Sequence, residues 1–296
     1  MSLLPVLHIK EFSKSIKRDD FYANIFSTHL KKHHSSITKP HKHNFYLIVL
    51  FLKGKGVHEV DFNSYPIKRG ALFLLKPGQT HHWEFSEEAE GFIFFHSKEF
   101  YNLLFPNKNI DEYPVFYSSY NSPYIQLEKD LILEFKERFN SIYQEYKQNN
   151  LMKYRKLGLL VDLLYIDATR AYKIDNTTEV GKVPSQVILF RKLEVLINEK
   201  FLVDKSPSSY AKALHVSTKH LNRVVFNTLN ISTSDLIHQR VLLEAKRLLT
   251  HGEMSIQQIA FELGYNDPSY FTRLFKKKVG VTPSVFIDRY KENDKS

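Results

Sequence analysis

The 296-residue chain has no cysteine, a single tryptophan and no apolar run approaching the roughly 18 residues that a membrane-spanning helix needs. Without cysteine it has no disulfide, no thiolate metal site and no cysteine nucleophile, which is typical of a reducing compartment. The first five residues are followed too soon by charge for a signal peptide. We therefore expect a cytoplasmic protein with no membrane partner.

The composition predicts two globular domains, one of them basic. Hydrophobic residues make up 43% of the chain and aromatic residues 14%, which excludes wholesale disorder. Up to residue 180 the chain holds 24 Lys and Arg against 21 Asp and Glu, and beyond it 18 against 11. Most of the net charge of +10 therefore lies in the C-terminal part, which favours a polyanionic partner there.

The N-terminal part reads as strands from about residue 20 to 100. Residues 45–62 predict a buried strand, a Gly-Lys-Gly turn and an alternating strand, and residues 65–86 repeat that arrangement. A further β-rich run occupies residues 91–100. Short aromatic and β-branched runs separated by Gly and Pro indicate a small antiparallel β-barrel or sandwich.

The apolar spacing becomes helical after about residue 123. It predicts two amphipathic helices, at 124–147 and 151–172, and a polar linker at 173–186. The expected domains are therefore residues 1–172 and 187–296. The two helices suit dimerisation, although their apolar faces would also be satisfied within one subunit.

A helix-turn-helix unit is predicted near the C-terminus. Ser255 and Gln258 form a capping-box pattern before one helix, Gly264 suits its C-terminal turn, and Asp267-Pro268 starts the next helix. In that second helix the apolar residues share one face. The opposite face carries no apolar residue: Ser269, Thr272, Arg273 and Lys276.

A second copy lies about fifty residues earlier in the chain, at residues 206–230. Ser206-Pro207 repeats the capped start, and Arg223 matches Arg273. Residues 232–252 between the copies predict one connecting helix. A single unit of this kind is easily an ordinary helical hairpin. The duplication, the matched arginines and the basic charge favour two DNA readers, which a rigid connection would hold about 34 Å apart, one DNA turn.

Residues 188–290 resemble the DNA-binding domain of the AraC/XylS family of bacterial transcription regulators. The resemblance is carried by Ile259, Ala260, Gly264, Tyr265, Tyr270, Phe271, Arg273, Phe275, Lys276, Gly280, Thr282 and Pro283. The first unit departs from the family pattern, with Val225 in place of the usual Phe, Phe226 in place of a common basic residue, and Asn230 in place of a common Gly. The resemblance implies an all-α domain of two helix-turn-helix units joined by a linker helix.

The resemblance also implies which residues contact double-stranded promoter DNA. Arg bonds guanine bidentately, Asn bonds adenine, and Thr contacts a base edge or a thymine methyl group. The expected base contacts are Lys219, Asn222, Arg223, Ser269, Thr272 and Arg273. The expected phosphate contacts, which add affinity without sequence information, are Thr218, Lys276 and Lys277.

The N-terminal part resembles the cupin-like sensor domain that many of these regulators carry. His41, His43 and His81 stand where metal-binding cupins have histidines, but Leu47 replaces the glutamate and cannot ligate. Three imidazoles remain able to hold zinc or iron. We expect no metal and no cofactor, and a small-molecule effector site formed by His41, His43, Tyr46, His81 and Trp83.

The expected function is a sequence-specific transcription regulator, an activator, that responds to a small-molecule effector such as a sugar. By resemblance it would be a homodimer that contacts RNA polymerase, and it would not be an enzyme. Two alternatives stay open at this point: a metal-dependent cupin enzyme tethered to DNA, and a DNA-binding protein that needs no effector.

Overall fold

The computed structural model describes residues 5–12, 20–37, 40–106, 108, 110–116, 121–172, 185–251 and 254–293. Contacts divide these residues into two compact units: the N-terminal unit falls within 5–180 and the C-terminal unit within 181–296. The predicted linker lies outside the described residues apart from Ser185 and Gln186, which begin a helix, so its placement stays a prediction. None of the described helices is long and apolar enough to cross a membrane.

The N-terminal unit contains ten strands and four α-helices among the described residues. The strands are β1 (Val6–Leu7), β2 (Phe21–Ile25), β3 (Lys42–His43), β4 (Tyr46–Lys53), β5 (Gly56–Val60), β6 (Asn63–Ile67), β7 (Ala71–Leu75), β8 (His81–Phe85), β9 (Glu90–His96) and β10 (Tyr124–Gln126). The helices are α1 (Phe26–Ile37), α2 (Lys98–Leu104), α3 (Lys129–Lys147) and α4 (Lys153–Ala171).

The strands form two main antiparallel sheets. One has five strands in the order β10-β7-β4-β9-β2, and the other has three in the order β6-β5-β8. Short β1 and β3 pair in parallel, and a single bridge joins His41 to His81 of β8. The predicted β-rich domain is confirmed, and its described strands lie in packed sheets that do not close into one ring.

The central strand β4 is buried on both faces, which explains its unbroken apolar sequence. Ile48 and Leu50 point into a core shared with α3 and α4. Val49 and Phe51 point into a second core, which the three-stranded sheet completes with residues such as Trp83. The five-stranded sheet therefore separates an interior between the sheets from a helical layer.

Three local predictions in this unit are wrong. Residues 26–37 are helical although the stretch reads as strand, because Phe26, His29 and Leu30 recur at helical spacing and face the core. Lys98–Leu104 is also a helix, begun by the Ser97 cap. The helix expected from residue 124 begins at Lys129, because Tyr124–Gln126 pairs with β7 as an edge strand.

The C-terminal unit is all helical in its described residues, as predicted. Its helices are α5 (Ser185–Lys200), α6 (Pro207–Ala213), α7 (Thr218–Leu229), α8 (Thr233–His251), α9 (Ile256–Glu262), α10 (Pro268–Val279) and α11 (Pro283–Asn293). The two predicted helix-turn-helix units are α6–α7 and α9–α10, and α8 connects them. The expected fold class is confirmed.

Local backbone chemistry sets the limits of these helices. Ser255 and Gln258 make both bonds of the capping box, and Asp267 accepts a hydrogen bond from the backbone N–H of Ser269. Gly264 has a φ of 74°, and His215 holds the corresponding turn of the first unit with a φ of 56°. Left-handed residues therefore make both turns, although only one is glycine.

Candidate DNA-reading face and effector site

The helices α7 and α10 are matched twelve-residue helices, each buried along one face only. In α7 the buried residues are Leu221, Val224 and Val225, and in α10 they are Phe271, Leu274 and Phe275. Every residue predicted to contact a base lies off these faces, and all but the partly buried Thr272 are exposed.

In the second helix-turn-helix unit Arg273 is the one charged residue among the three predicted base contacts. Its side chain is 70% exposed, and its Nη2 lies 3.6 Å from Oδ2 of Asp267. An exposed pair at that distance contributes little, so a guanine edge can replace the carboxylate. Thr272 donates its hydroxyl to the carbonyl oxygen of Pro268 at 3.0 Å, which leaves its methyl group and an oxygen lone pair for DNA.

In the first helix-turn-helix unit, two of the three residues predicted to contact bases already have protein partners. Oδ1 of Asn222 accepts a hydrogen bond from the backbone N–H of Thr233 at 3.0 Å. Nη2 of Arg223 lies 2.9 Å from Nδ1 of His220 on the same exposed face. Lys219 is exposed. Asn222 therefore has a structural task in addition to its predicted reading role, which the sequence pattern did not indicate.

The predicted phosphate contacts lie at the surface. Thr218 is the exposed first residue of α7, and Lys276 and Lys277 are exposed in the last turns of α10. The next lysine, Lys278, bonds Oδ1 of Asp235 in α8 at 2.5 Å. Lys278 therefore joins α10 to α8, whereas Lys276 and Lys277 are exposed and accessible to an anion such as a DNA phosphate.

The turn of the second unit packs against the segment between α5 and α6. Nζ of Lys205 donates to the carbonyl oxygen of Leu202 at 2.9 Å and lies 4.8 Å from the centre of the Tyr265 ring. A Cβ at Gly264 would lie 1.9 Å from that same Leu202 oxygen. Glycine is therefore required here for close packing as well as for its positive φ.

Four of the five predicted effector residues come together in the interior between the two sheets. The ring of His81 lies 4.5 Å from that of His41, 5.1 Å from that of His43 and 4.9 Å from that of Trp83. The fifth, Tyr46, lies on the other face of β4, where its ring stacks on His96 at 5.2 Å. Tyr46 is therefore separated from the other four by the sheet.

The cluster has a further member, His58 of β5, which sequence reasoning missed. Its Nε2 lies 3.0 Å from Nδ1 of His81, and it pairs with Trp83 across the β5–β8 ladder. The alternation within residues 56–60 puts His58 on the same face as the buried Val60, so the strand pattern held the signal. We call His41, His43, His58, His81 and Trp83 the histidine cluster.

Burial keeps the imidazoles of His43, His58 and His81 neutral. Desolvation, with a smaller contribution from His41, lowers the pKa of His43 to about 3. Burial followed by the neighbouring histidines lowers the pKa of His58 and of His81 well below the ordinary value. A neutral imidazole carries one donor and one acceptor, so the cluster offers both kinds of hydrogen-bonding atom.

Several polar atoms of the cluster have no hydrogen-bond partner among the described residues. They are Nε2 of His43, Nδ1 of His58, Nε2 of His81 and Nε1 of Trp83. Nδ1 of His43 donates to the carbonyl oxygen of Phe45 at 2.7 Å, so its Nε2 is an acceptor. The His58–His81 bond leaves one donor and one acceptor, and the Trp83 indole adds a donor. The buried histidine cluster thus contains two hydrogen-bond donors and two acceptors without a partner among the described residues.

The described residues contain no group of three or more His, Cys, Asp or Glu side chains arranged to hold a metal ion. Leu47, at the position of the cupin glutamate, is buried in the apolar core on the same side as the histidine cluster.

A separate cavity of about 580 Å³ lies beside the edge strand β2, between α1 and the end of α3. Its lining includes the aromatic residues Phe12, Tyr22 and Tyr146 and the cations Lys32 and Lys147. Neither lysine forms an ion pair with another described residue. The cavity shares no lining residue with the histidine cluster, and no sequence motif indicated it.

Two family models match the chain. An AraC-like ligand binding domain matches residues 26–123, and a helix-turn-helix domain matches residues 210–289, so that together they cover more than half of the chain. The first match contains the histidine cluster, and the second contains α7 and α10. The chain belongs to the AraC/XylS family of transcription regulators. It is an effector-responsive DNA-binding regulator and not an enzyme.

Curated relatives match along nearly the whole chain. The uncharacterized HTH-type transcriptional regulator YfiF of Bacillus subtilis is 23% identical, over 92% of this chain and 85% of its own. The HTH-type transcriptional activator RhaR of Mannheimia succiniciproducens is 20% identical, over 88% of this chain and 91% of its own. Among solved structures, ToxT of Vibrio cholerae is 17% identical with a TM-score of 0.44, and the match covers 90% of this chain and 98% of that one.

Proposed function

We propose that this regulator activates transcription in the cytoplasm, as a homodimer that binds promoter DNA and contacts RNA polymerase. The observation that carries DNA reading is the matched pair of helices, α7 and α10, which expose Arg223 and Arg273 at equivalent positions. The sense of regulation is supported by the relatives that are named transcriptional activators.

The proposed reading of DNA divides the exposed residues into two groups. Lys219, Asn222, Arg223, Ser269, Thr272 and Arg273 contact base edges, and Thr218, Lys276 and Lys277 contact phosphate. This division is supported by position, because the first group lies in the first two turns of each helix and the lysines lie in the last turns of α10.

The experiment that tests DNA reading is selection of duplexes from a random pool, followed by genome-wide mapping of bound sites. We expect one enriched sequence with two elements about one helical turn apart. The genes beside the mapped sites would then show which pathway supplies the effector. Equal binding to all duplexes would instead indicate an architectural protein.

The proposed effector site is the histidine cluster. Its two donors and two acceptors suit a small neutral molecule with several hydroxyl groups, because each hydroxyl both donates and accepts. A sugar meets that description, and the Trp83 ring offers a flat apolar surface for a sugar face. The alternative location is the cavity beside β2, whose aromatic walls and two lysines suit a ligand of different chemistry.

A thermal-shift series with a panel of monosaccharides separates the two locations. At the histidine cluster, Trp83→Phe would abolish the shift caused by a binding sugar, whereas Lys32→Gln would leave it unchanged. The reverse pattern would place the effector in the cavity. If no monosaccharide raises the melting temperature of the wild-type protein at saturating concentration, the sugar proposal is wrong.

The homodimer is proposed to form through α3 and α4. Leu159 and Leu163 lie one turn apart on α4 and are exposed, as is Leu133 of α3. Leu159→Glu should convert the dimer to a monomer in sedimentation equilibrium. Leu103→Glu on α2 is the matched control, because Leu103 is equally an exposed leucine on a helix of the same unit. A wild-type protein that stays monomeric at high concentration would contradict the proposal.

A further inference from the structure

The third turn of the first reading helix carries an exposed aromatic ring. Phe226 is 55% exposed, whereas the other large apolar residues of α7 up to that point are buried. It follows Asn222 by four residues and Arg223 by three, so it lies on the same helical face as these predicted readers. The ring therefore continues the DNA-reading face instead of the core face.

The equivalent position of the second unit has the opposite chemistry. With Arg223 aligned on Arg273, Phe226 corresponds to Lys276 and Asn227 to Lys277. All four residues are exposed. The second unit therefore meets the DNA in its third turn with two cations, and the first unit meets it there with an aromatic ring and a neutral amide.

The polar readers of the first unit are also partly committed to the protein. Oδ1 of Asn222 receives the Thr233 N–H, and Arg223 lies in hydrogen-bond contact with His220. Pro283 stands in the second unit where Thr233 stands in the first, and a proline nitrogen has no hydrogen to donate. Thr272 and Arg273 of the second unit also have protein contacts, so the two reading faces differ mainly at Phe226 and Asn227, where the second unit has Lys276 and Lys277.

We propose that Phe226 is a specificity-determining residue that contacts the C5-methyl group of a thymine in the major groove. Thymine alone among the four bases presents a methyl group there, and apolar side chains, Phe included, make that contact. The inference rests on the proposed DNA binding and adds the chemistry that one half of the site must have. The first unit selects by apolar contact, and the second binds more through charge.

The test uses the duplex that the full-length wild-type protein selects from a random pool. Each thymine in it is replaced in turn by deoxyuridine, which removes only the C5-methyl group and keeps the base pair. We expect one thymine at which wild-type affinity falls about fourfold, the size expected for one buried carbon group. Phe226→Ala should bind the unmodified duplex more weakly and show no further loss at that thymine.

Two variants serve as controls. Lys276→Ala, at the equivalent position of the second unit, should keep the full loss at the same thymine while its binding becomes less dependent on salt. Phe226→Lys should bind with a steeper dependence on salt and without the thymine effect. Because the ring is exposed, Phe226→Ala should melt with wild-type cooperativity, and circular dichroism checks this before DNA is added.

Three results would overturn the inference. One is a selected duplex in which no thymine-to-uracil change weakens the wild-type protein, and another is an equal loss for wild type and Phe226→Ala at every thymine. The third is a loss at the sensitive thymine that disappears in Lys276→Ala but persists in Phe226→Ala. A pool without any enriched sequence would overturn sequence-specific binding itself, and is thereby distinguishable from these three.

Discussion

The side-chain oxygen of Asn222 lies 3.0 Å from the backbone nitrogen of Thr233, so the first reading helix caps the helix that connects the two units. Thr233 is the first residue of α8, where backbone N–H groups have no partner within the helix. This hydrogen bond would therefore transmit a displacement of α7 on the DNA directly to the start of α8. The second unit has no such bond, because Pro283 replaces Thr233 there.

Asn222 can be tested for its two roles separately. Asn222→Ala removes the acceptor and should lower the free energy of unfolding by about 1 kcal/mol in urea titration. Asn222→Asp keeps an acceptor at the positive end of α8 and should preserve stability, but it places a negative charge on the reading face and should weaken DNA binding. Asn227→Ala, also exposed on α7, is the stability control. An Asn222→Ala protein as stable as wild type would show that the hydrogen bond contributes nothing.

Arg273 and Lys277 should differ in the kind of affinity they supply. Arg273→Ala should weaken binding to the selected duplex by about 1–3 kcal/mol and relax base preference at one position. Lys277→Ala should weaken target and random duplexes alike and reduce the slope of log affinity against log salt by about 1. Fluorescence anisotropy across a salt series measures both. An unchanged ratio of target to random binding in Arg273→Ala would refute base reading by that residue.

Gly264 and Gly280 form a matched pair for separating backbone strain from close packing. Gly280 has a φ of 88° with nothing within 4 Å of an added Cβ, so Gly280→Ala should cost about 1–2 kcal/mol of strain. Gly264 has a φ of 74°, and its Cβ would lie 1.9 Å from the Leu202 oxygen, so Gly264→Ala should cost more. Urea denaturation compares them. Equal costs would mean that the segment around Leu202 moves away freely.

The buried histidines should make the N-terminal unit sensitive to acid. Burial, followed by the nearby His33 and His41, lowers the pKa of His29 from 6.5 to about 3 in the folded protein. The unfolded chain therefore binds a proton at His29 between about pH 6.5 and 3 that the folded protein does not. Stability should be independent of this group above pH 6.5 and fall by about 1.4 kcal/mol per pH unit below it.

His29→Phe tests this directly, because the ring would remain among Phe12, Phe26 and Phe95 without titrating. The slope of the unfolding free energy against pH between about 6 and 4 should decrease by close to one proton. Leu103→Phe, at an exposed position that carries no titratable group, is the control that should leave the slope as it is. Identical slopes for His29→Phe and wild type would contradict a neutral buried His29.

The features that the sequence predicts well depend on residues that are close together along the chain. The caps at Ser255 and Asp267 and the turn at Gly264 are local, and each is confirmed. The same holds for β4, whose unbroken apolar run indicates burial on both faces. The division of the matched helices into a core face and an exposed face also follows from spacing alone.

The features that the sequence did not predict depend on distant partners. Tyr124–Gln126 becomes a strand only because β7 offers an edge some fifty residues earlier. His58 joins the histidine cluster through the register of β5 with β8, and Tyr46 leaves it because β4 turns that ring towards His96. Strand register decides the face of every side chain, and a pattern along one strand cannot fix the pairing of another.

The central strand β4 belongs to two layers at once. Leu47 and Val49 touch the core beside the histidine cluster, and Ile48 and Leu50 touch the core that holds α3 and α4. Because protein interiors are close-packed, a small displacement of this strand on its inner face repacks the helices on its outer face. A molecule bound between the sheets would therefore reach the proposed dimer helices mechanically, through one shared strand and without touching them.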